Sequence, residues 1–443
     1  MGCEMNHAID IPETNQEFRR SMRERLCDSP KLLNRSSGTD ACCIFRIPQS
    51  FHEVNGSSYK PQAISIGPYH RGEAHLEMIQ EHKWLYLRVM LERIQWHNVQ
   101  LEDLIDAIWP LERQARECYS QDVHMDGKDF VEMMVLDGCF ILELFRKVGD
   151  LVKFDKNDPI KTMSWVRTFL ARDLLKLENQ IPYFILHTLY ERTKAPDGDE
   201  ARVSLSLMAL HFFNFLTQRP ENVIWKFANL EGKHLLDLVR RSYIDGFFKD
   251  SPPVAENKNP ANSIHPISKL RRSGIKLKQI KVDSFLVVRF KHGFLEMPAL
   301  MIDDFMRSFI SNCIVYEQCQ SGASTHFTTY TSLLDWLVNT ARDVEYLCER
   351  NIFENCLGSD EEVVQFINSL GKEVALNRDA CYLADVLRDV RSHYQNKWHV
   401  GWAGFKSMYF KTPWSFISAL AAAILLLLTM AQTFYTIYGV YNG

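Results

Sequence analysis

From Lys411 to Gly443 no charged side chain follows Lys411 itself, and this stretch contains the run FISALAAAILLLLTMAQTFYTIY. A segment of this kind has few ways to fold. From Trp414 to Tyr438 there are about 25 residues, roughly 37 Å of helix, enough to cross a hydrocarbon core of about 30 Å. A buried core helix of this length would show a polar face, and here only Thr429, Gln432, Thr433 and Thr436 interrupt the second half. The sequence therefore predicts a membrane anchor carried by Trp414, Phe416, Leu420, Ile424, Leu425, Leu426, Leu427 and Leu428, with Tyr435 and Tyr438 toward its end. The lipid bilayer is the first expected partner.

The flanks predict orientation. Lys397, Lys406 and Lys411 precede the span and no charged side chain follows it, so the positive-inside rule places the large domain in the cytosol, on the plasma membrane or an endomembrane. No apolar leader opens the chain, and the expected arrangement is tail-anchored. Eleven cysteines without a CxxC pair fit a reducing compartment. The sequons at Asn34 and Asn55 point the other way. Met1-Gly2-Cys3 lacks the Ser or Thr that the acylation pattern wants at position 6 and reads as an ordinary start.

Trp398, Trp402, Phe405 and Tyr409 are spaced four, three and four apart and share one helical face, with Lys406 and Lys411 beside them. This pattern suits a helix lying in the membrane interface, and equally a helix packed into the domain. Within the span, small residues at four-residue spacing (Ser415, Ala419, Ala423) offer a route to a homo-oligomer.

Residues 1–40 read as a loose tail, 41–410 as one mostly helical domain with a disordered loop near 249–263, and 411–443 as the anchor. Cys42–Pro48 and Ala63–Gly67 read as short buried strands, the second closed by a Gly67-Pro68 turn. Helical periodicity runs through Leu76–Val148, Thr162–Tyr190 (interrupted at Pro182) and Val203–Phe248. Ile275–Ile302 reads as a β-meander, and helix returns in Phe305–Cys319, Tyr330–Cys348, Glu361–Leu370 and Ala380–Tyr409. The expected fold class is mostly α with a small β-sheet.

Several blocks now stand out: YKPQAISIGPYHRG (Tyr59–Gly72), EHKWLYL (Glu81–Leu87), FVEMMVLDGCFILELFRK (Phe130–Lys147) and RDLLKLENQIPYFIL (Arg172–Leu186). VYEQC (Val315–Cys319), NCLGSDEEV (Asn355–Val363) and Thr412–Tyr438 complete the set. In order and spacing the chain resembles the plant domain of unknown function 247 family from about Cys42 onward. The resemblance implies a plant membrane protein with a C-terminal span and no assigned chemistry. Some members are tied to reproductive self-recognition, which favours an interaction role with a protein partner.

In the LENQIP block, Glu178, Asn179 and Gln180 could grip a partner's backbone, or satisfy groups freed where Pro182 breaks a helix; the second reading is favoured. His70, His75 and His82 with Glu73, Glu77 and Glu81 lack the spacing of a helical zinc site, so no metal is expected. Cys139 sits in an apolar run and reads as a core residue. The basic stretch Lys269–Lys281 reads as the solvated face of an edge strand. Nucleotide-loop, nucleophile-elbow and kinase signatures are absent, and a net charge of −4 gives no case for nucleic acid. No cofactor is expected. The reading is a non-enzymatic, membrane-anchored interaction or signalling protein; the alternative is a membrane-bound enzyme of unrecognised type.

Overall fold

The computed structural model describes residues 13–27, 40–248, 264–372, 374, 381–395 and 413–442. Helices α1 (Glu13–Cys27), α2 (Gln49–Tyr59), α3 (Glu77–Ile94), α4 (Leu101–Ile108), α5 (Glu112–Glu117) and α6 (Gly127–Val148) come first. They are followed by α7 (Pro159–Thr162), α8 (Ser164–Asp173), α9 (Tyr183–Thr193), α10 (Leu205–Thr217), α11 (Glu221–Ile224), α12 (Leu235–Ile244) and α13 (Ile267–Arg272). Strands β1 (Lys276–Gln279), β2 (Arg289–Lys291), β3 (Phe294–Met297) and β4 (Leu300–Ile302) lead into α14 (Asp304–Cys319), α15 (His326–Leu337) and α16 (Ala341–Glu349). Strand β5 (Phe353–Asn355) precedes α17 (Asp360–Leu370), α18 (Ala384–Gln395) and α19 (Pro413–Asn442). The fold is mostly α with small sheets, as its periodicities predict.

Helix α6 is the central element. Asp126 caps its start by accepting from Asp129 N at 2.8 Å, and Arg146 and Lys147 in its last turn complement the helix dipole. From Phe130 to Lys147 nearly every side chain is buried, as expected for a helix apolar on most faces. It packs on α3, α4, α9 and α10. Four charged residues of this helix are buried, and each has a partner from another segment. Asp137 meets Lys83 at 2.6 Å, Glu143 meets Arg93 at 2.8 Å, Arg146 meets Glu200 at 2.7 Å, and Lys147 meets Asp158 at 3.3 Å. Cys139 lies between them fully buried, and burial pushes its thiol up to about 12.

The sheets differ from the expected meander. β1 pairs parallel with β3, and β2 pairs antiparallel with β3, giving the order β1-β3-β2. Phe285–Val288 is buried but is not a strand. β4 pairs instead with β5, parallel, about fifty residues onward. The edge reading of the basic stretch holds for β1: Lys276 and Lys278 are exposed, Leu277 is buried, and Lys278 pairs with Glu296 at 3.1 Å. Ser359 caps α17, its Oγ accepting from Glu362 N at 3.2 Å.

Other boundaries shift. Tyr330–Cys348 is two helices, α15 and α16, separated at Val338–Thr340, where Thr340 and Asp343 form a capping box. Within the expected tail, Glu13–Cys27 is helical and its described side chains are exposed. The 249–263 segment and the juxtamembrane residues Trp398, Trp402, Phe405, Lys406, Tyr409 and Lys411 lie outside the described residues, as do Gly2, Cys3 and Asn34.

Candidate functional site

The two expected strands near the N-terminus are extended and buried, yet neither belongs to a sheet; the first makes a single bridge, Ile44 to Tyr119. Buried backbone N–H groups need acceptors, and here carboxylates and amides supply them. Asp173 Oδ2 accepts from Gln62 N (2.8 Å), Ala63 N (2.6 Å) and Ile64 N (3.1 Å). Asn179 Oδ1 accepts from Ile66 N at 2.7 Å, and its Nδ2 donates to Ile64 O at 3.1 Å. Asp137 Oδ2 accepts from Gly67 N at 2.8 Å, and Glu178 Oε1 from Ile47 N at 2.6 Å.

The LENQIP block is therefore not inside a helix. It lies in the turns that link α8 to α9, and Pro182 is the N-cap residue of α9. Glu178 and Asn179 hold backbone groups more than a hundred residues away. Gln180 holds the block itself, donating to Leu174 O (2.7 Å) and Lys176 O (2.8 Å), while its Oε1 accepts from Leu236 N at 3.2 Å. Gly67 completes the junction. Its φ is +73°, and a Cβ there would stand 2.5 Å from Gln180 O, so only glycine fits.

One face of this junction opens into a groove of about 760 Å³. Its polar wall converges on Glu178. His70 Nε2 lies 3.0 Å from Glu178 Oε2, off-axis for a hydrogen bond. Arg46 Nη1 stands 3.4 Å from the same oxygen, and His52 Nε2 is 3.8 Å from Oε1. On its other side, His70 Nδ1 meets Glu73 Oε1 at 2.7 Å. Lys60, Gln49, Glu53 and His75 line the rim.

Of the histidine and glutamate set weighed from sequence, His70, His75 and Glu73 reach this groove; His82, Glu77 and Glu81 are not among its lining residues. Glu73 precedes the helix rather than extending an acidic stripe along it. Among the described residues no group of three or more His, Cys, Asp or Glu is arranged to hold a metal ion. Arg46 and His52 carried no sequence motif and went unnoticed; only the fold brings them to Glu178.

Burial works to raise the Glu178 carboxyl, but His70, Arg46 and the Ile47 N–H outweigh it, and the net shift is below the ordinary value. Burial lowers His52, against the opposing charge of Glu178. A depressed carboxylate contributes stability that is present above its unfolded value and lost as pH falls through its folded value. Glu178→Gln should therefore cost about 2 kcal/mol at pH 7, and the gap to the wild-type protein should close below pH 4.5. Urea unfolding at a series of pH values reads this directly. A gap that persists unchanged at pH 3 would mean the ionised form of Glu178 contributes nothing.

The segment expected to form the anchor lies in one helix, α19. Leu420–Tyr438 is long and apolar enough to cross a membrane, and none of it is buried in the protein. Trp414, Leu420, Ile424–Leu428, Tyr435 and Tyr438 are all exposed, and Phe416 lies in the same helix.

Comparison with known proteins agrees with the blocks that carry the resemblance. Residues 44–428 match the model of the family described as plant protein of unknown function, domain of unknown function 247. The UPF0481 protein At3g47200 of Arabidopsis thaliana is 37% identical over 425 residues, covering 91% of this chain and 88% of that protein. The putative UPF0481 protein At3g02645 of the same plant is 23% identical over 493 residues, covering 89% and 90%. No solved structure matches the chain. The chain thus belongs to the plant domain of unknown function 247 family.

Proposed function

We propose that this protein is a non-enzymatic, single-pass membrane protein whose helical domain recognises another protein through the Glu178 groove, with α19 fixing where that happens. The observation that carries the anchoring is the exposure of the whole Leu420–Tyr438 segment. A run of leucines, isoleucines and aromatics is stable in contact with lipid and unfavourable in water. The recognition role rests on the groove, a concave surface where cationic, anionic and imidazole groups meet, suited to a polar peptide segment. The lysines before the span favour a cytosolic domain.

The second reading, an enzyme, draws on His70, whose two ring nitrogens face Glu73 and Glu178. That arrangement would suit a general acid or base. Neither His70 nor His52 is hydrogen-bonded to a hydroxyl or thiol among the described residues, so the groove lacks the activated nucleophile of an acyl- or phosphoryl-transfer site.

The test places a photo-crosslinking residue at Glu53, on the groove, or at the exposed Arg113 outside it, in the full chain in plant cells. Membranes are then extracted with alkaline carbonate. The full chain should stay in the pellet, the chain ending at residue 412 should be released, and Glu53 should give a discrete protein adduct that Arg113 does not. Release of the full chain would sink the anchor, and identical adduct patterns at both positions would sink recognition through the groove.

A further inference from the structure

A second opening of the molecule holds two cysteines that the groove does not use. Cys43 N and Ile44 N both donate to Cys118 O at 2.9 Å, and Ser120 N donates back to Ile44 O at 3.0 Å. This is an isolated parallel bridge, Ile44 with Tyr119, and Cys43 and Cys118 precede its two members, their backbones joined by the Cys43 N–H to Cys118 O hydrogen bond. Adjacent strands lie about 4.8 Å apart, inside the Cα separation of about 4.4–6.8 Å at which a disulfide closes without backbone movement.

Access is also present. Cys43 and Cys118 are nearly buried residues, but both line a cavity of about 380 Å³ together with Asp40, Tyr183, His187 and Lys233. The two thiols act on each other. Cys43 donates toward the Cys118 sulfur, which holds Cys118 below its ordinary value despite burial, and the charge of Lys233 adds to this. The same hydrogen bond, followed by burial, pushes Cys43 well up. In the neutral state the Cys118 thiol donates to Gln114 O at 3.4 Å. Cys313 differs: it is fully buried in α14 and raised by desolvation.

We propose that Cys43 and Cys118 are a reversible dithiol–disulfide site, oxidised by hydrogen peroxide, that staples the segment leading into α2 to the chain leaving α5. The Cys118 thiolate attacks one peroxide oxygen; the O–O bond breaks, and the departing hydroxide takes up the proton that Cys118 released, forming water. Cys118 is then a sulfenic acid. The Cys43 sulfur attacks the Cys118 sulfur, the S–O bond breaks, and the second hydroxide leaves as water with the Cys43 proton. Two thiols and one peroxide give one disulfide and two waters. The loop so closed carries Arg46, His52, His70 and Glu73 of the larger groove, so the state of this pair sets the freedom of one groove wall.

The experiment uses the full chain in detergent. It is exposed to a small excess of hydrogen peroxide, blocked with N-ethylmaleimide, digested without reduction and analysed by mass spectrometry. The expected product joins the Cys43 peptide to the Cys118 peptide and is undone by dithiothreitol. Cys42→Ser, which removes the adjacent thiol, should retain it. Cys118→Ser should abolish it and leave Cys43 open to alkylation, and oxidation should raise the thermal midpoint of the wild-type chain but not of this variant. If Cys118→Ser does not fold by circular dichroism, Cys43→Ser serves in its place. The proposal is overturned if both thiols of the folded protein remain alkylatable after peroxide. It is equally overturned if Cys118 proceeds to sulfinic acid without a cross-link, or if the bond forms through Cys42.

Discussion

Asp137→Ala should be among the most destabilising single changes in this protein, at about 3–5 kcal/mol. Asp137 and Lys83 are each almost fully buried, with Lys83 Nζ 2.6 Å from Asp137 Oδ1. Lys83 Nζ also donates to Ser65 O at 2.5 Å, and Asp137 Oδ2 accepts from Gly67 N at 2.8 Å. Removing the carboxylate strands a buried ammonium and orphans a buried N–H. A double change, Lys83→Met with Asp137→Leu, removes both charges and leaves the Gly67 N–H and the Ser65 carbonyl without these partners, so it should cost about 1–3 kcal/mol, less than the single change. Urea unfolding of the full chain in detergent measures both. If the single variant is as stable as the double, the pair is not holding the extended segment as its geometry requires.

Glu317→Ala should cost a similar amount, about 3–5 kcal/mol, by a different route. Its Oε1 accepts from Arg240 Nη2 at 2.9 Å and from Phe327 N at 3.1 Å, while Oε2 accepts from Thr328 N at 2.8 Å. One carboxylate thus pairs with a buried guanidinium, which Asp237 also meets at 3.3 Å, and caps the first turn of α15. Glu317→Gln keeps acceptors for the cap and loses the charge, so it should fall between wild type and alanine. In a cycle with Arg240→Met, the two changes together should cost less than the sum of each alone by at least 1 kcal/mol. Additive losses would show that the cap, and not the ion pair, is what Glu317 contributes.

These residues explain where sequence reading succeeded and failed. The long apolar helix α19 was legible because a run of apolar residues needs no partner in the chain to declare itself. The central helix was legible because its apolar positions repeat at helical spacing. Lysines flanking Leu277 announced an exposed strand edge, but not that β1 would lie parallel to β3, since strand order depends on how the intervening chain turns. The segments Cys42–Pro48 and Ala63–Gly67 looked like strands because they are short, apolar and extended. Apart from the contacts of the first with Cys118 and Ser120, their partners include Asp173, Asn179, Asp137 and Glu178, side chains from far along the chain, and no periodicity records such a pairing. A usable sign was present: Asp137 and Glu143 stand in the middle of an apolar helix, and buried acids require partners. The Glu178 groove had no comparable sign, because Arg46, His52 and His70 meet only after the segment before α2, helix α2 itself and the loop before α3 are folded against the LENQIP link.

That same pinning by remote side chains sets a timetable for the chain during synthesis. The carbonyl of Ser58 waits for Asn312, 254 residues later. At a translation speed of about 5–20 residues per second, roughly 13–50 s pass between the emergence of the two. For roughly the first half of that interval the apolar segments around Ile44 and Ile64 also lack Asp173, Glu178 and Asn179, which hold their backbones. The last turn of α2 can therefore dock on α14 only once most of the domain has emerged, and a slower ribosome would lengthen that wait.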